Sequence, residues 1–409
     1  MERIDHFTTP EPSSPHSMKG PSRSANIVLI AGILLVAVNL RPALASVGPL
    51  IEDIRQTTGL SNSQLGLLTT LPLIAFGVIS TLTPLFTRRF GIGGTLLGAM
   101  ALLALGAAMR AIAWLPALYL GTLFVGVAIA FGNVLLPSLT KRNFASNSGV
   151  ITSLYSSAMA LGASLAAGIS VPLANGLQLG WRGALGIWAI PAVVAFVVWM
   201  PQLSRLTRSE PNRSFTKAMH HLGGSKLAWH VALFMGLQSL TFYVVLAWLP
   251  AILINWGYDA TYSGWMLSLS QAMGIVGSMI IPTVAGRKAD QRGIVWFLAV
   301  VETIGLAGLL MDPGGRIALW VSLIGFVSGG SFGLALLFIV LRAKDSESAT
   351  ELSGMAQSIG YILAATGPTL FGGLFDLTGR WTYSLLFLFV IVVFKLWMGA
   401  KAGTPGTLH

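Results

Sequence analysis

Apolar residues gather into twelve stretches between residues 25 and 399, separated by short polar turns. They run over 25–49, 62–86, 93–111, 116–139, 149–174, 182–200, 228–254, 261–284, 293–311, 315–341, 351–374 and 381–399. Each approaches the ~20 residues a helix needs to cross the ~30 Å hydrocarbon core of a bilayer. No water reaches that depth to satisfy an open backbone, so stretches of this length predict helices rather than strands. Polar sequence is confined to three places. Residues 1–24 are rich in Pro and Ser and predict a disordered tail rather than a cleaved leader. Residues 201–227 form the longest polar link, and 401–409 a closing tail. The pattern predicts an all-α membrane protein with a six-helix half over 25–200 and another over 228–400.

Composition agrees and narrows the class. The chain is 54% hydrophobic and 10% charged, where soluble domains carry about 25% charged residues. It has no Cys, which excludes disulfides and thiolate metal sites. No cofactor is expected. The net charge of +11 reports topology rather than a nucleic-acid partner. Arg88, Arg89, Lys141, Arg142, Arg287, Lys288, Arg292, Arg342, Lys344 and the link's basic residues fall on one side of the membrane. Arg3, Lys19, Arg23, Lys395 and Lys401 join them as tail charges. The other side holds Arg55, Arg110, Arg182, Arg316 and Arg380. By the positive-inside rule both termini are cytoplasmic, in a multi-pass protein of a bacterial inner membrane.

The chain also repeats itself weakly at about 200 residues, the mark of a carrier built from two related halves. Pro49 pairs with Pro250, Gly91 with Gly293, Gly126 with Gly325, Arg142 with Arg342, and Gly162 with Gly360. Six plus six helices with a long polar link resemble the major facilitator superfamily. The local motifs go further. Asn39-Leu-Arg41-Pro42, Gly132-Asn133-Val-Leu-Leu-Pro137, Trp248-Leu-Pro250, Asp290-Gln-Arg-Gly293 and Ser353-Gly-Met-Ala-Gln357-Ser-Ile-Gly-Tyr361 resemble the cyanate/nitroimidazole transporter family of that superfamily. The resemblance covers nearly the whole chain after the tail. It implies a monomeric secondary transporter, driven by a solute or proton gradient, with its cargo held near the midplane between the halves.

The superfamily's loop signature after the second helix carries an acid that the first copy here lacks: Arg88-Arg89-Phe90-Gly91. The second copy keeps it as Asp290, with Arg292 two residues on. Arg88, Arg89, Asp290 and Arg292 are therefore the candidate conformational latch. The competing reading of these charges is topology alone.

The candidate chemistry centres on Arg41, in the middle of an apolar run. A cation there costs about 2.5–3.5 kcal/mol on insertion scales. Intramembrane acids are scarce; only Glu302 is deep, and it is the candidate coupling residue. Arg41 thus lacks an obvious carboxylate partner. Either it binds an anionic cargo through its two-pronged donor face, or it bonds helix carbonyls as structural glue. Asn133, Tyr155, Gln238, Tyr243, Gln271, Gln357 and Tyr361 are the further substrate-binding candidates; each could instead make an ordinary interhelical bond. Trp248 and Phe242 are available for stacking.

Three function classes are open at this point. The first is a transporter of a small polar or anionic organic solute, cyanate-like or nitroaromatic as the resemblance implies. The second is a multidrug exporter of the same superfamily. A membrane-embedded enzyme is the third, and it needs paired acids, a His-anchored nucleophile or a metal set that the apolar stretches do not offer. No phosphate-binding Gly-x-x-x-x-Gly-Lys-Ser/Thr loop is present, which argues against direct ATP hydrolysis.

Overall fold

The computed structural model describes residues 23–60, 62–203, 215–311 and 316–408. The N-terminal tail through residue 22, residues 204–214 of the basic link, the outer-loop acid Asp312 and His409 lie outside the described residues. Ten helices among the described residues are long and apolar enough to cross a membrane. Two have double length, Gln64–Met109 with 46 residues and Leu115–Gly176 with 62. At 1.5 Å per residue the shorter of these would reach about 70 Å, more than twice the hydrocarbon thickness. Each is two crossings joined by a tight turn, so the crossings number twelve, as the hydropathy pattern predicts.

The first crossing is assembled from α1 (Arg23–Asn39), α2 (Pro42–Ala45) and a short 3-10 turn over Gly48–Leu50. After the short α3 (Ile51–Thr58), α4 (Asn62–Met109) supplies the second and third crossings. It reverses at Gly91, whose φ of 72° and ψ of 169° only a residue without a Cβ adopts readily. Next come α5 (Leu115–Phe144) and α6 (Ser148–Val171), then the sixth crossing from α7 (Gly180–Gly186) and α8 (Ala189–Trp199). Part of the polar link folds as α9 (Phe215–Gly224). The second half is α10 (Lys226–Asn255), α11 (Ala260–Gly286), α12 (Arg292–Met311), α13 (Ile317–Arg342), α14 (Ser346–Thr378) and α15 (Trp381–Ala402). Lipid offers no hydrophobic drive between helices, so close packing of small residues takes over. A Cβ on Gly325 or Gly329 of α13 would collide with the α11 backbone at Ser270 or Gly274.

The halves meet where α4 packs on α14 and α6 on α11. The face where α1 begins and α15 ends, here the terminal face, is tightly joined. Thr81 and Ser358 share a 2.6 Å hydroxyl bond, Thr350 and Ser138 one of 2.8 Å, and Ser157 and Ser278 one of 3.0 Å. Ser153 donates to the Met279 carbonyl, and Gly149 lies against Gly286. All these pairs lie on the terminal side of Arg41. Toward the opposite, distal face, a Cβ added at Gly48 or Gly66 would meet nothing within 4 Å.

Lys395 departs from the topology reading. It is not a tail residue: it lies inside α15, 4% exposed, and forms an ion pair with Glu302 of α12. Arg110 stays on the side the topology reading gives it, but its side chain is wholly buried at the distal end of α4. Arg342 is structural as well. It donates to the carbonyls of Ala402 (2.8 Å) and Gly406 (3.2 Å), and its own carbonyl accepts from Leu408 N at 2.8 Å. The closing segment 402–408 is thereby docked against the end of α13.

Candidate functional site

The first crossing breaks where Arg41 sits. Pro42 has no N–H, so the Val38 carbonyl loses its helical donor. Gly162 of α6 packs against that carbonyl, where any Cβ would clash. Leu40 N falls back to the Ala37 carbonyl at 3.1 Å, and Arg41 takes φ −119° and ψ −33°. The helix restarts beyond it with Leu44 N and Ala45 N bonded to the Arg41 carbonyl at 3.1 and 3.0 Å. The break lets the Arg41 side chain leave its own half and meet the other.

Arg41 is half-buried and faces three aromatic residues of the second half. Its guanidinium lies against the hydroxyls of Tyr243 on α10 and Tyr361 on α14. Its Cζ is 5.4 Å from the centre of the Phe332 ring on α13, within cation–π range. Tyr361 is shared: its hydroxyl accepts from Asn133 Nδ2 of α5 at 3.3 Å, and its ring packs on Phe76 at 4.8 Å. The Asn133 Oδ1 is buried without a hydrogen-bond partner among the described residues. One guanidinium, two phenols and one amide thus converge from α1, α5, α10 and α14. Among the described residues, the polar groups Arg41 meets are phenols rather than carboxylates. Such a set can donate several hydrogen bonds to a planar anion without neutralising it in advance.

The other sequence candidates fall around this centre. Gln357 lies one turn before Tyr361, 1% exposed, and Tyr155 is buried on α6. Among the described residues, the Gln357 Oε1 and the Tyr155 hydroxyl have no hydrogen-bond partner. Gln238 is turned back on its own helix, donating to the Met235 carbonyl at 3.0 Å and to Ser239 Oγ at 2.7 Å. Gln271 is half-buried on α11. Trp248 donates to the Pro368 carbonyl at 2.9 Å and lies tilted against Trp381, ring centres 5.5 Å apart. Glu302 is taken up by Lys395, on helices that do not carry the Arg41 cluster.

The latch candidates divide. Arg88 crosses between the halves, with Nη2 at 3.1 Å from Glu347 and 3.0 Å from Glu351 at the start of α14. Glu351 is completely buried. Asp290 pairs with Arg292, two residues on, in one exposed loop. The Arg292 side chain and backbone N–H hold the Asp290 carboxyl below its ordinary range. Arg89 lies over the Phe90 ring beside it.

Sequence reasoning missed Phe332, the Arg88 partners Glu347 and Glu351, Arg110 and Lys395. For Lys395 a signal was present: a cation inside an apolar stretch, as for Arg41. For Phe332 there was none, because one aromatic among many on an apolar helix carries no distinguishing pattern.

A twelve-crossing bundle of two six-helix halves, closed over a cation at the break of its first crossing, is the frame of a membrane carrier. The chain belongs to the major facilitator superfamily, whose family model matches residues 29–368, and within it to the cyanate/nitroimidazole transporter family. It is 42% identical over 393 residues to a 2-nitroimidazole transporter of Escherichia coli (strain K12), covering 95% of this chain and 97% of that one. It is 31% identical over 362 residues to the cyanate transport protein CynX of the same organism, covering 88% and 93%. The proton:xylose symporter XylE shares the fold at a TM-score of 0.74 with 14% identity, covering 91% of this chain and 95% of that one. The chain is a transporter and not an enzyme.

Proposed function

We propose that this transporter carries a small planar organic solute, a cyanate-like anion or a nitroaromatic, with Arg41 as the anchor for its negative charge or its nitro oxygens. The observation that carries the reading is the company Arg41 keeps: two phenols and an aromatic face, on a surface that joins both halves. A half-buried cation that meets no carboxylate keeps much of its electrostatic demand, and an anionic cargo meets it. Asn133, Tyr243 and Tyr361 complete the contacts. Tyr155, Gln238, Gln271 and Gln357 form the surrounding polar wall. The names of the relatives, a 2-nitroimidazole transporter and a cyanate transport protein, support this cargo class.

The halves rock around the cargo in alternating access. In the arrangement described here the terminal face is closed, and the Arg88–Glu347–Glu351 cluster is the latch that keeps it so. Asp290 and Arg292 brace the matching loop of the second half. The excess of Lys and Arg on the terminal face makes that face cytoplasmic, so the site opens outward from a bacterial inner membrane. A proton or solute gradient supplies the energy, and one chain suffices as the working unit. Glu302, held by Lys395, has a structural role in this reading rather than a coupling one.

Uptake into proteoliposomes tests the proposal, with cyanate, 4-hydroxybenzoate and 2-nitroimidazole as the panel. Wild type is expected to accumulate at least one of them, and Arg41→Gln to lose that uptake while remaining folded. Accumulation of large lipophilic dyes, unaffected by Arg41→Gln, would establish the multidrug reading instead.

A further inference from the structure

Arg110 contributes a charge that the transport site does not use directly, and its contacts give it a purpose. Beyond the break at Arg41, the backbone of the first crossing tightens. Ser46 N bonds to the Pro42 carbonyl at 3.0 Å, and Val47 N bonds to Leu44 at 3.2 Å instead of reaching back four residues. The Ala43 carbonyl is passed over. Arg110 fills that gap: its Nη1 donates to the Ala43 oxygen at 2.6 Å. The arginine reaches it from the distal end of α4, one residue after Met109. Its stem is held against α5, where a Cβ on Gly121 would stand 3.0 Å from the Arg110 Cγ.

We propose that Arg110 is a positioning residue for Arg41: it grips the bent distal half of the first crossing at Ala43, two residues along, and so sets the direction in which Arg41 faces Tyr243 and Tyr361. The cost of the arrangement argues for this. Arg110 is 0% exposed, and its Nε and Nη2 find no hydrogen-bond partner among the described residues. One donated hydrogen bond is poor compensation for a buried guanidinium, and an apolar side chain of similar volume would pack there at less cost. Stability therefore does not account for the charge. An orphan carbonyl at a helix break, adjacent to the residue that holds the cargo, does. A guanidinium, with its fixed planar fork, reaches across two helices and fixes direction better than a neutral donor of shorter stem. The functional half of this inference rests on the assignment of Arg41 as the cargo anchor; the mechanical half does not.

Full-length Arg110→Met and Arg110→Lys, compared with wild type and Arg41→Gln, test both halves. Hydrogen–deuterium exchange reads the mechanics without any cargo. In Arg110→Met, exchange in peptides covering residues 42–50 is expected to rise about tenfold, a local opening, while peptides over 317–342 stay unchanged. The melting temperature is expected to hold or increase. Arg110→Lys keeps a donor and is expected to recover most of the protection. In uptake of cyanate, Arg110→Met is expected to raise KM about tenfold with little change in maximal rate, with recovery again in Arg110→Lys. Unchanged exchange over 42–50, or exchange raised throughout the chain, overturns the positioning role. Unchanged cyanate KM alongside loosened 42–50 overturns its link to binding. If Arg41→Gln itself transports cyanate normally, the anchor assignment fails, and the exchange data still decide whether Arg110 holds the bend.

Discussion

Lys395 and Arg41 are both cations set within apolar helices, and the fold treats them in opposite ways. Lys395 is closed off between α12 and α15, neutralised by Glu302 and surrounded by Phe234, Val295, Leu298 and Leu396. Arg41 sits at a break in the backbone, keeps part of its surface accessible, and has phenols in place of a carboxylate. A charge whose demand is met inside the protein has nothing left to offer a solute. A charge left with weak partners, on the surface between two halves that must separate, can exchange those partners for cargo. On the proposed reading, depth in the membrane does not separate a structural charge from a cargo-binding one; the identity of the partners does.

The contrast can be attacked at several points. The largest effect is expected from Arg41→Gln, which removes the anchor: binding of the carried anion falls by about 2–5 kcal/mol, the cost of truncating a buried charged contact. The amount of folded protein stays close to wild type. Glu302→Gln is expected to do the reverse. It strands a buried ammonium and destabilises the fold by about 3–5 kcal/mol, read as a lowered melting temperature, while uptake per folded molecule is unchanged. The paired change Glu302→Leu with Lys395→Met recovers stability. Equal behaviour of the Arg41 and Glu302 variants in both assays would erase the distinction.

A smaller effect falls on the closed face. Arg88→Gln or Glu351→Gln is expected to shift the carrier toward the state open at the terminal face by about tenfold, the scale of one partly buried charge pair. The absence of Cys makes this measurable: a single cysteine placed at Ser138, buried between the halves beside Thr350, reports terminal-face accessibility by maleimide labelling, which should accelerate in either variant. Tyr361→Phe removes the hydroxyl shared by Arg41 and Asn133 and should weaken cargo binding by about 1 kcal/mol. The smallest effect belongs to Asp290. Its lowered pKa means that it is ionised above the ordinary carboxylate range, and its pairing with Arg292 is lost only as pH falls through that lowered value. Uptake and stability should therefore show no step from this pair between about pH 5 and 8. A step there that Asp290→Asn abolishes would give that loop a larger role than its exposure suggests.

Much of this was written plainly in the sequence. Hydropathy located all twelve crossings because a bilayer demands long apolar runs. Arg41 stood out because a cation in such a run is costly. The motif pieces around Asn133 and Tyr361 pointed to residues that the fold joins through a 3.3 Å hydrogen bond. Other features were illegible for definite reasons. That Arg88 pairs with Glu347 and Glu351 depends on how α4 meets α14, a contact separated by more than half the chain. The first copy of the loop signature lacks its acid, and the structure supplies acids from the other half instead. Arg110 and Lys395 were assigned by their nearness to the ends of apolar stretches. Hydropathy cannot distinguish a loop charge from one folded back into the protein, because both follow the last apolar residue. Gln238 shares its residue type with the other binding candidates, but residue type alone does not show that its amide nitrogen bonds Met235 and Ser239 on its own helix.

The central claim is that Arg41 holds the charge of the cargo. Equilibrium binding of cyanate to purified, folded wild type and Arg41→Gln, with Glu302→Leu/Lys395→Met as the control that removes the carboxylate-paired cation, tests it most directly. The account predicts saturable binding in wild type and control, and a loss of at least about thirtyfold in Arg41→Gln, about 2 kcal/mol. Binding that survives in Arg41→Gln and disappears in the control would contradict it.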